Sequence, residues 1–188
     1  LVLAVVVLVA VLITFLVMKT ATKPPAPPPT PVVTVPVPVY EKTLNCIKFK
    51  FLSALDKGVV LNPSAITNTT KYDPARVKAV NATPGGKFIM VTVGAQNKGT
   101  ENTDNNSWDI ENIVDSEGRN FIPMSDSTVH AWFPAKSLCG DLLKPEFDFS
   151  PCTKIYEVSK ASTGLKIRVE QGTSSSKKTQ YLLDLIVK

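Results

Sequence analysis

The stretch KFIMVTVGAQN, residues 87–97, decides the fold class of this 188-residue chain. Phe88 and Met90 are apolar and fall on one face of an extended chain, which indicates partial cover of that face. The opposite face carries apolar side chains at every second position, namely Ile89, Val91, Val93 and Ala95. This period of two predicts a β-strand with a buried face.

Shorter runs with the same period follow along the chain, with turn signals about every 8 to 12 residues. Asp115–Gly118 reads as a hairpin turn, because Asp opens it and Gly supplies a positive φ. Trp108 is expected to fill the core. The predicted strands span 45–55, 107–114, 119–122, 128–133, 153–159, 165–171 and 180–187. Seven or eight short strands in about 148 residues predict an all-β immunoglobulin-like sandwich.

GGKFIMVTVGAQNKGTE, residues 85–101, resembles the signature of telokin-like immunoglobulin domains, which occur in lipoproteins and anchored surface proteins of bacteria and archaea. IVDSEGRNFIP (113–123) and KIYEVSKASTGLKIRV (154–169) are similar to the later hairpin and strand pair of that family. The chain departs from it at Ser159, where proline is common, and in a longer cysteine-bearing loop over 135–152. The positions that carry the first motif are Gly86, Phe88, Val91, Val93, Asn97 and Gly99. The resemblance implies an extracytoplasmic β-sandwich and supplies no catalytic residue.

The N-terminal stretch LVLAVVVLVAVLITFLVM, residues 1–18, predicts an apolar helix over 1–19. Eighteen residues give about 27 Å of helix, close to the ~30 Å hydrocarbon core of a membrane. A retained single-pass anchor is the first interpretation, and a cleaved signal peptide is the second. The third is a helix that packs with its own copies, as in type IV pilins, although bacterial pilins place glutamate where Val5 stands. Leu1 fits either a processed or a truncated chain.

A proline-rich segment follows, which we expect to form an extended stalk over residues 20–40. Eight of the chain's prolines lie between Pro24 and Pro38, and the segment reads as a spacer. The predicted organisation is therefore an apolar helix (1–19), a stalk (20–40) and one immunoglobulin-like sandwich (41–188).

The chain has three cysteines, and outside the cytoplasm we expect a pair of them to oxidise. Cys139 and Cys152 bracket a loop without a regular pattern, and we favour a disulfide between them. A bond from Cys46 to either of the other two remains an alternative. If Cys46 is unpaired, it is either a small buried residue or a bridge between protomers.

Other candidate sites are weak. The segment 101–109 is dense in oxygen ligands but lacks EF-hand spacing, so Ca²⁺ is only a minor possibility for Glu101, Asp104, Asn106 and Asp109. Sequons mark three asparagines as glycosylation candidates, Asn68, Asn81 and Asn105. His130 is the only histidine, and no nucleophile-elbow motif accompanies it. We predict no catalytic residue, cofactor or structural metal.

The charge balance of 21 basic and 16 acidic residues is only mildly positive, and no basic run is interleaved with aromatics. Nucleic acid is therefore not an expected partner. We expect a domain anchored in the cell membrane through residues 1–18 and exposed outside it, with a binding or structural role and no catalysis. Its partner would be a protein or glycan of the cell envelope. The alternative is a pilin-like filament subunit that self-assembles through the N-terminal helix. The longest loops, 62–86 and 134–152, are the expected contact sites.

Overall fold

The structure, a computed structural model, describes residues 36–172 and 178–188. The strands in this part of the chain are β1 (Glu41–Leu44), β2 (Ile47–Gly58), β3 (Val60–Leu61), β4 (Val80–Asn81), β5 (Gly86–Asn97), β6 (Trp108–Val114), β7 (Asn120–Phe121), β8 (Ser150–Ser159), β9 (Lys166–Gln171) and β10 (Thr179–Asp184). The helical segments are short: α1 (Asp126–Val129) and 3-10 turns at Pro63–Ala65, Pro74–Arg76 and His130–Trp132. The described residues thus form an all-β fold with only short helical turns, as the sequence predicts.

Two antiparallel sheets form a sandwich. The first sheet has the strand order β1-β2-β5-β8, and the second sheet has the order β10-β9-β6-β7. Strand β5 pairs with β2 on one side and with β8 on the other, so the stretch that predicts the fold lies inside the first sheet. Strands β3 and β4 form a separate small pair.

The main core lies between the sheets. The predicted inward face of β5 is fully buried, and Trp108 is 1% exposed, so both predictions are confirmed. Trp108 packs against Phe49 from the first sheet, with ring centroids 6.3 Å apart. The other large side chains of this core are Ile47, Ile89, Ile110, Ile113, Tyr156 and Ile167.

A second, smaller core covers part of the outer face of the first sheet. Phe88 is completely buried there, and Met90 is 7% exposed. The cover comes from the segment between β3 and β5 and from the helical turns at 126–132. Its other buried members are Leu61, Ile66, Val129, Ala131, Trp132, Phe133 and Ile155. The partial cover predicted for this face of β5 is therefore confirmed at Phe88 and Met90.

The strand predicted over 128–133 is wrong. The segment is α1 followed by the 3-10 turn at His130–Trp132. Val129, Ala131 and Trp132 are all buried on one side of the turns, whereas a strand would direct Ala131 and Trp132 to opposite faces. The Trp132 indole N–H donates to the Asn62 carbonyl at 2.9 Å, which fixes the turns against the preceding loop.

Strand β2 contains a bulge that changes its side-chain alternation. The pairing with β5 shifts between Phe51 and Ser53, so Ala54 becomes buried and Leu52 becomes 45% exposed. Strand β1 is absent from the predicted strands, because only Leu44 in its sequence EKTL is buried.

The predicted turn after β6 is confirmed. Gly118 has φ 78°, and the side chain of Asp115 accepts hydrogen bonds from Arg119 and Ser162 as well as from backbone amides of the turn. Burial alone would raise the pKa of Asp115, but these hydrogen bonds outweigh it and lower that pKa to about 2. The turn is therefore fixed by a buried carboxylate.

The predicted apolar helix (1–19) and most of the predicted stalk (20–40) lie outside the described residues. The end of the stalk segment contacts the sandwich: the Val39 N–H donates to Asp184 Oδ2 at 2.7 Å, and the Tyr40 carbonyl accepts from the Phe51 N–H at 2.8 Å. Within residues 36–172 and 178–188, no helix combines the length and the apolarity needed to cross a membrane.

Candidate functional site

The loop that precedes β8 is closed by a disulfide between Cys139 and Cys152, the pair that the sequence favours. Cys152 is completely buried on the inner face of β8, so the bond ties the loop directly to the main core. Cys46 is a half-buried free thiol, and the Gln171 amide nitrogen lies 3.3 Å from its sulfur. We call residues 139–149 the disulfide loop.

Hydrogen bonds join the disulfide loop to the neighbouring loop after β5. The indole N–H of Trp108 donates to the Asp141 carbonyl at 2.7 Å, which connects the disulfide loop to the core as well. The backbone contacts between the two loops are Asn106 N to Gly140 O at 2.6 Å, Thr103 N to Leu143 O at 3.0 Å and Glu146 N to Asn97 O at 3.0 Å. Side chains add Leu143 N to Thr103 Oγ1 at 2.8 Å and Leu142 N to Asn105 Oδ1 at 3.0 Å. Both loops are therefore held in one conformation.

The structure does not bring the calcium candidates together. Asp109 accepts from the Lys154 ammonium at 2.7 Å and from the Ile110 N–H, so its carboxylate is already paired. Glu101, Asp104 and Asn106 lie in the loop that the hydrogen bonds above fix. In the described part of the chain, the one group of three possible metal ligands combines Asp109 with the two disulfide sulfurs. Because those sulfurs are bonded to each other, they offer no thiolate to a metal.

An exposed patch lies beside the disulfide loop, on the part of the first sheet that the second core leaves open. Phe147 is 63% exposed and Leu52 is 45% exposed. Gly94, in β5, has no side chain, and neighbouring side chains occupy the space above it. A Cβ at that position would lie 3.0 Å from Phe149 Cβ and 3.2 Å from Leu52 Cδ1. Phe149 and Leu52 therefore lie across the glycine. We call the patch the aromatic face and define it as Lys50, Leu52, Gln96, Lys144, Phe147 and Phe149.

Two lysines flank the rings of the aromatic face. The Lys50 ammonium lies 5.9 Å from the centre of the Phe149 ring, and the Lys144 ammonium lies 5.5 Å from the centre of the Phe147 ring. Across residues 36–172 and 178–188, neither lysine has a carboxylate within 4.0 Å. The Gln96 amide donates to the Phe147 carbonyl at 2.9 Å and fixes the backbone beneath that ring. The face therefore offers apolar rings next to unpaired positive charge.

A second polar cluster lies at the edge between β6 and β8, but its groups are paired. Lys154 also donates to the Ile110 carbonyl at 2.7 Å, and the Tyr156 hydroxyl donates to the Glu111 carbonyl at 2.6 Å. Burial raises the pKa of Tyr156 well above its usual value. Burial, and then the nearby Glu170 carboxylate, raise the pKa of Glu111. A cleft of about 470 Å³ beside Lys154 reaches His130. Apart from the Glu111 carboxylate, which has no salt bridge among the described residues, these contacts pair the charged groups of the cluster and join the two sheets.

Burial also disfavours ionisation of Glu170, but hydrogen bonds from Lys178 and Gln180 outweigh burial and keep the pKa of Glu170 low. His130 packs between Tyr72 and Phe133, with ring-centroid distances of 5.9 and 5.4 Å. In the described part of the chain, its imidazole is therefore part of an aromatic stack.

The three sequons occupy different surroundings. Asn81 and Asn105 are exposed, and Asn68 is half-buried. The side-chain oxygen of Asn105 accepts a hydrogen bond from the Leu142 N–H, and the side-chain nitrogen takes no part in that bond. Glycosylation at all three positions stays a prediction.

The aromatic face is not among the sites that the sequence predicts. The segments KFK (48–50) and FDF (147–149) alternate aromatic and charged residues, and this pattern is visible in the sequence. Their meeting over Gly94 depends on the bulge at Leu52 and on the return of the disulfide loop, and neither has a sequence signal. Of the two loops expected to make contacts, 62–86 contributes to the second core, whereas 134–152 contains exposed large apolar side chains, namely Leu138, Leu142 and Phe147.

Comparisons with known proteins find similar architectures. No protein-family model and no curated protein matches the chain. A conserved hypothetical protein of Bacillus anthracis is 13% identical, with 79% of this chain and 94% of that chain covered and a TM-score of 0.49. A "putative lipoprotein (ycdA)" of Bacillus subtilis is 13% identical over 78% of this chain, with a TM-score of 0.45, and the match spans only 38% of that protein. An uncharacterized beta-sandwich protein of Clostridium difficile is 11% identical, with 78% and 91% covered and a TM-score of 0.36. At these identities and TM-scores, the similarities carry no argument about function.

Proposed function

We propose that this protein is a membrane-anchored domain of the telokin-like immunoglobulin kind, exposed outside the cell membrane, which binds a component of the cell envelope without chemical turnover. The observation that carries the proposal is the Cys139–Cys152 disulfide in a sandwich that follows an apolar run and a proline-rich segment. Disulfides persist in oxidising compartments, and an apolar run followed by a spacer is the arrangement of a tethered surface domain.

A binding role agrees with the side chains that the fold leaves exposed. The described residues place the His130 imidazole in an aromatic stack and pair the Lys154 ammonium with Asp109 and a backbone carbonyl. Neither arrangement provides an activated nucleophile. The aromatic face, by contrast, has an exposed ring at Phe147 and two lysines that form no salt bridge within the described residues, so we assign the contact to it.

The test is the location of the C-terminal domain in cells. The full chain with a C-terminal epitope tag is expressed in a bacterial host, and membranes are separated from soluble protein and washed with high salt. We expect the tag in the washed membranes and its loss when intact cells, stripped of outer layers, are treated with protease. A chain lacking residues 1–18 should lose membrane retention. Protection of the tag until lysis would contradict the proposed orientation.

The same preparation tests the pilin-like alternative. Electron microscopy of sheared material should show no filaments for a tethered domain. Filaments that contain the chain would overturn the single-pass anchor and support self-assembly through residues 1–18.

A further inference from the structure

We propose that the aromatic face binds an acidic glycan strand, with sugar rings against Phe147 and Phe149 and the acid groups of the glycan against Lys50 and Lys144. This inference rests on the proposed function, because a glycan of the envelope is available only to a domain exposed there. It goes further by naming the chemical class of the partner and the residues that select it.

The exposed aromatic ring of Phe147 suits a sugar ligand. Phe147 is 63% exposed, a large fraction for an aromatic side chain in a folded domain. An aromatic face carries partial negative charge and attracts the positively polarised C–H groups that line one side of a sugar ring. Phe149 and Leu52 extend the apolar surface across Gly94. An extended chain of sugars could therefore contact successive apolar side chains along one line.

The lysines next to the rings suit an acidic ligand. The ammonium groups of Lys50 and Lys144 lie over the rings of Phe149 and Phe147, 5.9 and 5.5 Å from the ring centres, so an acid group bound to either lysine would lie close to a sugar that contacts the same ring. The neighbouring Lys48 and Lys98 are neutralised by Glu41 at 3.0 Å and by Glu146 at 2.6 Å. Among the described residues, Lys50 and Lys144 beside the rings have no salt bridge, and neither does the exposed Asp148 between Phe147 and Phe149. The two lysines outnumber this single carboxylate, and the remaining positive charge favours an acidic ligand over a neutral one.

The size of the apolar surface favours a polymer strand over a folded protein. A stable protein interface takes about 20–30 residues from each partner. The aromatic face offers three apolar side chains, which suit a narrow ligand.

The face is also held in place before any ligand arrives. The disulfide closes the loop that carries Phe147, and the Gln96 amide holds the Phe147 carbonyl at 2.9 Å. Little conformational entropy is then lost on binding, which helps a ligand with few contacts.

The experiment measures the affinity of the purified full chain, in a polyoxyethylene detergent without sugar groups, for three probes by titration calorimetry. The probes are an oligogalacturonate, its methyl-esterified form and poly-glutamate, which supply rings with charge, rings alone and charge alone. We expect binding to the oligogalacturonate, weakening with added salt, and weaker binding to the other two.

Variants test the assigned residues. Phe147→Leu keeps an apolar side chain but removes the ring, and it should weaken binding about two- to tenfold. The double variant Lys50→Gln/Lys144→Gln should weaken it and reduce the salt dependence. Lys71→Gln is the matched control, since Lys71 also lies over a ring, that of Tyr72 at 5.7 Å, but outside the aromatic face. All of these side chains are exposed, so the variants should fold like the parent.

Several results would overturn the inference. These are no binding of the oligogalacturonate, equal binding of the esterified form or of poly-glutamate, or equal losses in Phe147→Leu and Lys71→Gln. Concentration-dependent self-association that Phe147→Leu abolishes would assign the face to a second copy instead. Because the assay uses purified protein, each of these results leaves the cellular location to the protease experiment.

Discussion

Removal of the Cys139–Cys152 disulfide tests how the candidate site is kept in shape. The double variant Cys139→Ala/Cys152→Ala opens a loop whose ends are 13 residues apart in sequence and 4.5 Å apart between Cα atoms. Loop-closure entropy for about 14 residues corresponds to about 3 kcal/mol of unfolding free energy at 25 °C. Each kcal/mol shifts the thermal midpoint of a domain of this size by about 2–4 °C, so we expect a fall of about 6–12 °C.

The assay is thermal unfolding of the full chain followed by circular dichroism, with and without a reductant. The wild type in reductant should unfold near the midpoint of the double variant, and the double variant should be insensitive to reductant. Cys46→Ala is the matched control, since this free thiol takes no part in the bond, and it should keep the wild-type response.

Hydrogen exchange adds a local measurement. The amides of Thr103, Asn106 and Leu143 donate between the two loops and should lose protection in the double variant. Protection of β5 amides should fall only as far as the global stability does. A midpoint within about 2 °C of the wild type, or unchanged protection of the loop amides, would refute the reasoning.

Three other predictions concern the core and a buried turn. Trp132→Ala should lower the unfolding free energy by about 3–5 kcal/mol in chemical denaturation, because the second core unfolds together with the main core. An unchanged unfolding free energy would mean that the second core does not contribute to the cooperative unit. Tyr156→Phe should cost about 1–2 kcal/mol of unfolding free energy, because it removes the hydroxyl that donates to the partly buried Glu111 carbonyl, and unchanged denaturation would contradict that hydrogen bond. Asp115→Asn should lower the thermal midpoint at pH 6. Since the folded pKa of Asp115 lies below the unfolded value, its stabilisation is present above about pH 4 and is lost as the pH falls towards 2, so the variant and the wild type should converge there.

Much of the sandwich could be predicted because most of its strands have one solvent-exposed face and one buried face. Strand β5 has apolar residues on both faces, and its β-branched residues still indicate a strand. The alternation in β5 and β9 matches their burial, and Leu165, Ile167 and Val169 are all buried as predicted. Period-two patterns fail where one strand changes phase. In β2 the bulge at Leu52 moves burial to Ala54, and no property of the sequence marks the extra residue.

The error at 128–133 has a different cause. The apolar residues there are dense enough for a buried strand, but they cover the outside of a sheet whose inner face is already filled. Short helical turns suit that task, because they direct Val129, Ala131 and Trp132 to one side. Sequence alone shows that such residues are buried, but it does not show which layer buries them.

The candidate site could be predicted only in its covalent part. Cys139 and Cys152 are recognisable as a pair because they bracket an irregular loop. The oxygen-rich segment 101–109 looks like a cation site by composition, yet its loop uses hydrogen bonds to the disulfide loop for order. The aromatic face joins residues about 95 positions apart in sequence, so only the folded chain brings it together.

The two long loops show how a fold can order a segment and still leave side chains free to bind. The loop between β3 and β5 is ordered by burial: Ile66 is 8% exposed, and its neighbours pack on Phe88 and Met90. Apolar residues used in this way are no longer available to a partner. The disulfide loop is ordered by a covalent bond and by hydrogen bonds, so it does not need to bury Leu142 and Phe147, which are 42% and 63% exposed. Within this loop Leu143 is buried in the main core, and the crosslink and hydrogen bonds supply the rest of the order, which allows the loop to present rings to a ligand. On this reasoning, reduction of the disulfide should weaken glycan binding more than an equally destabilising change in the second core.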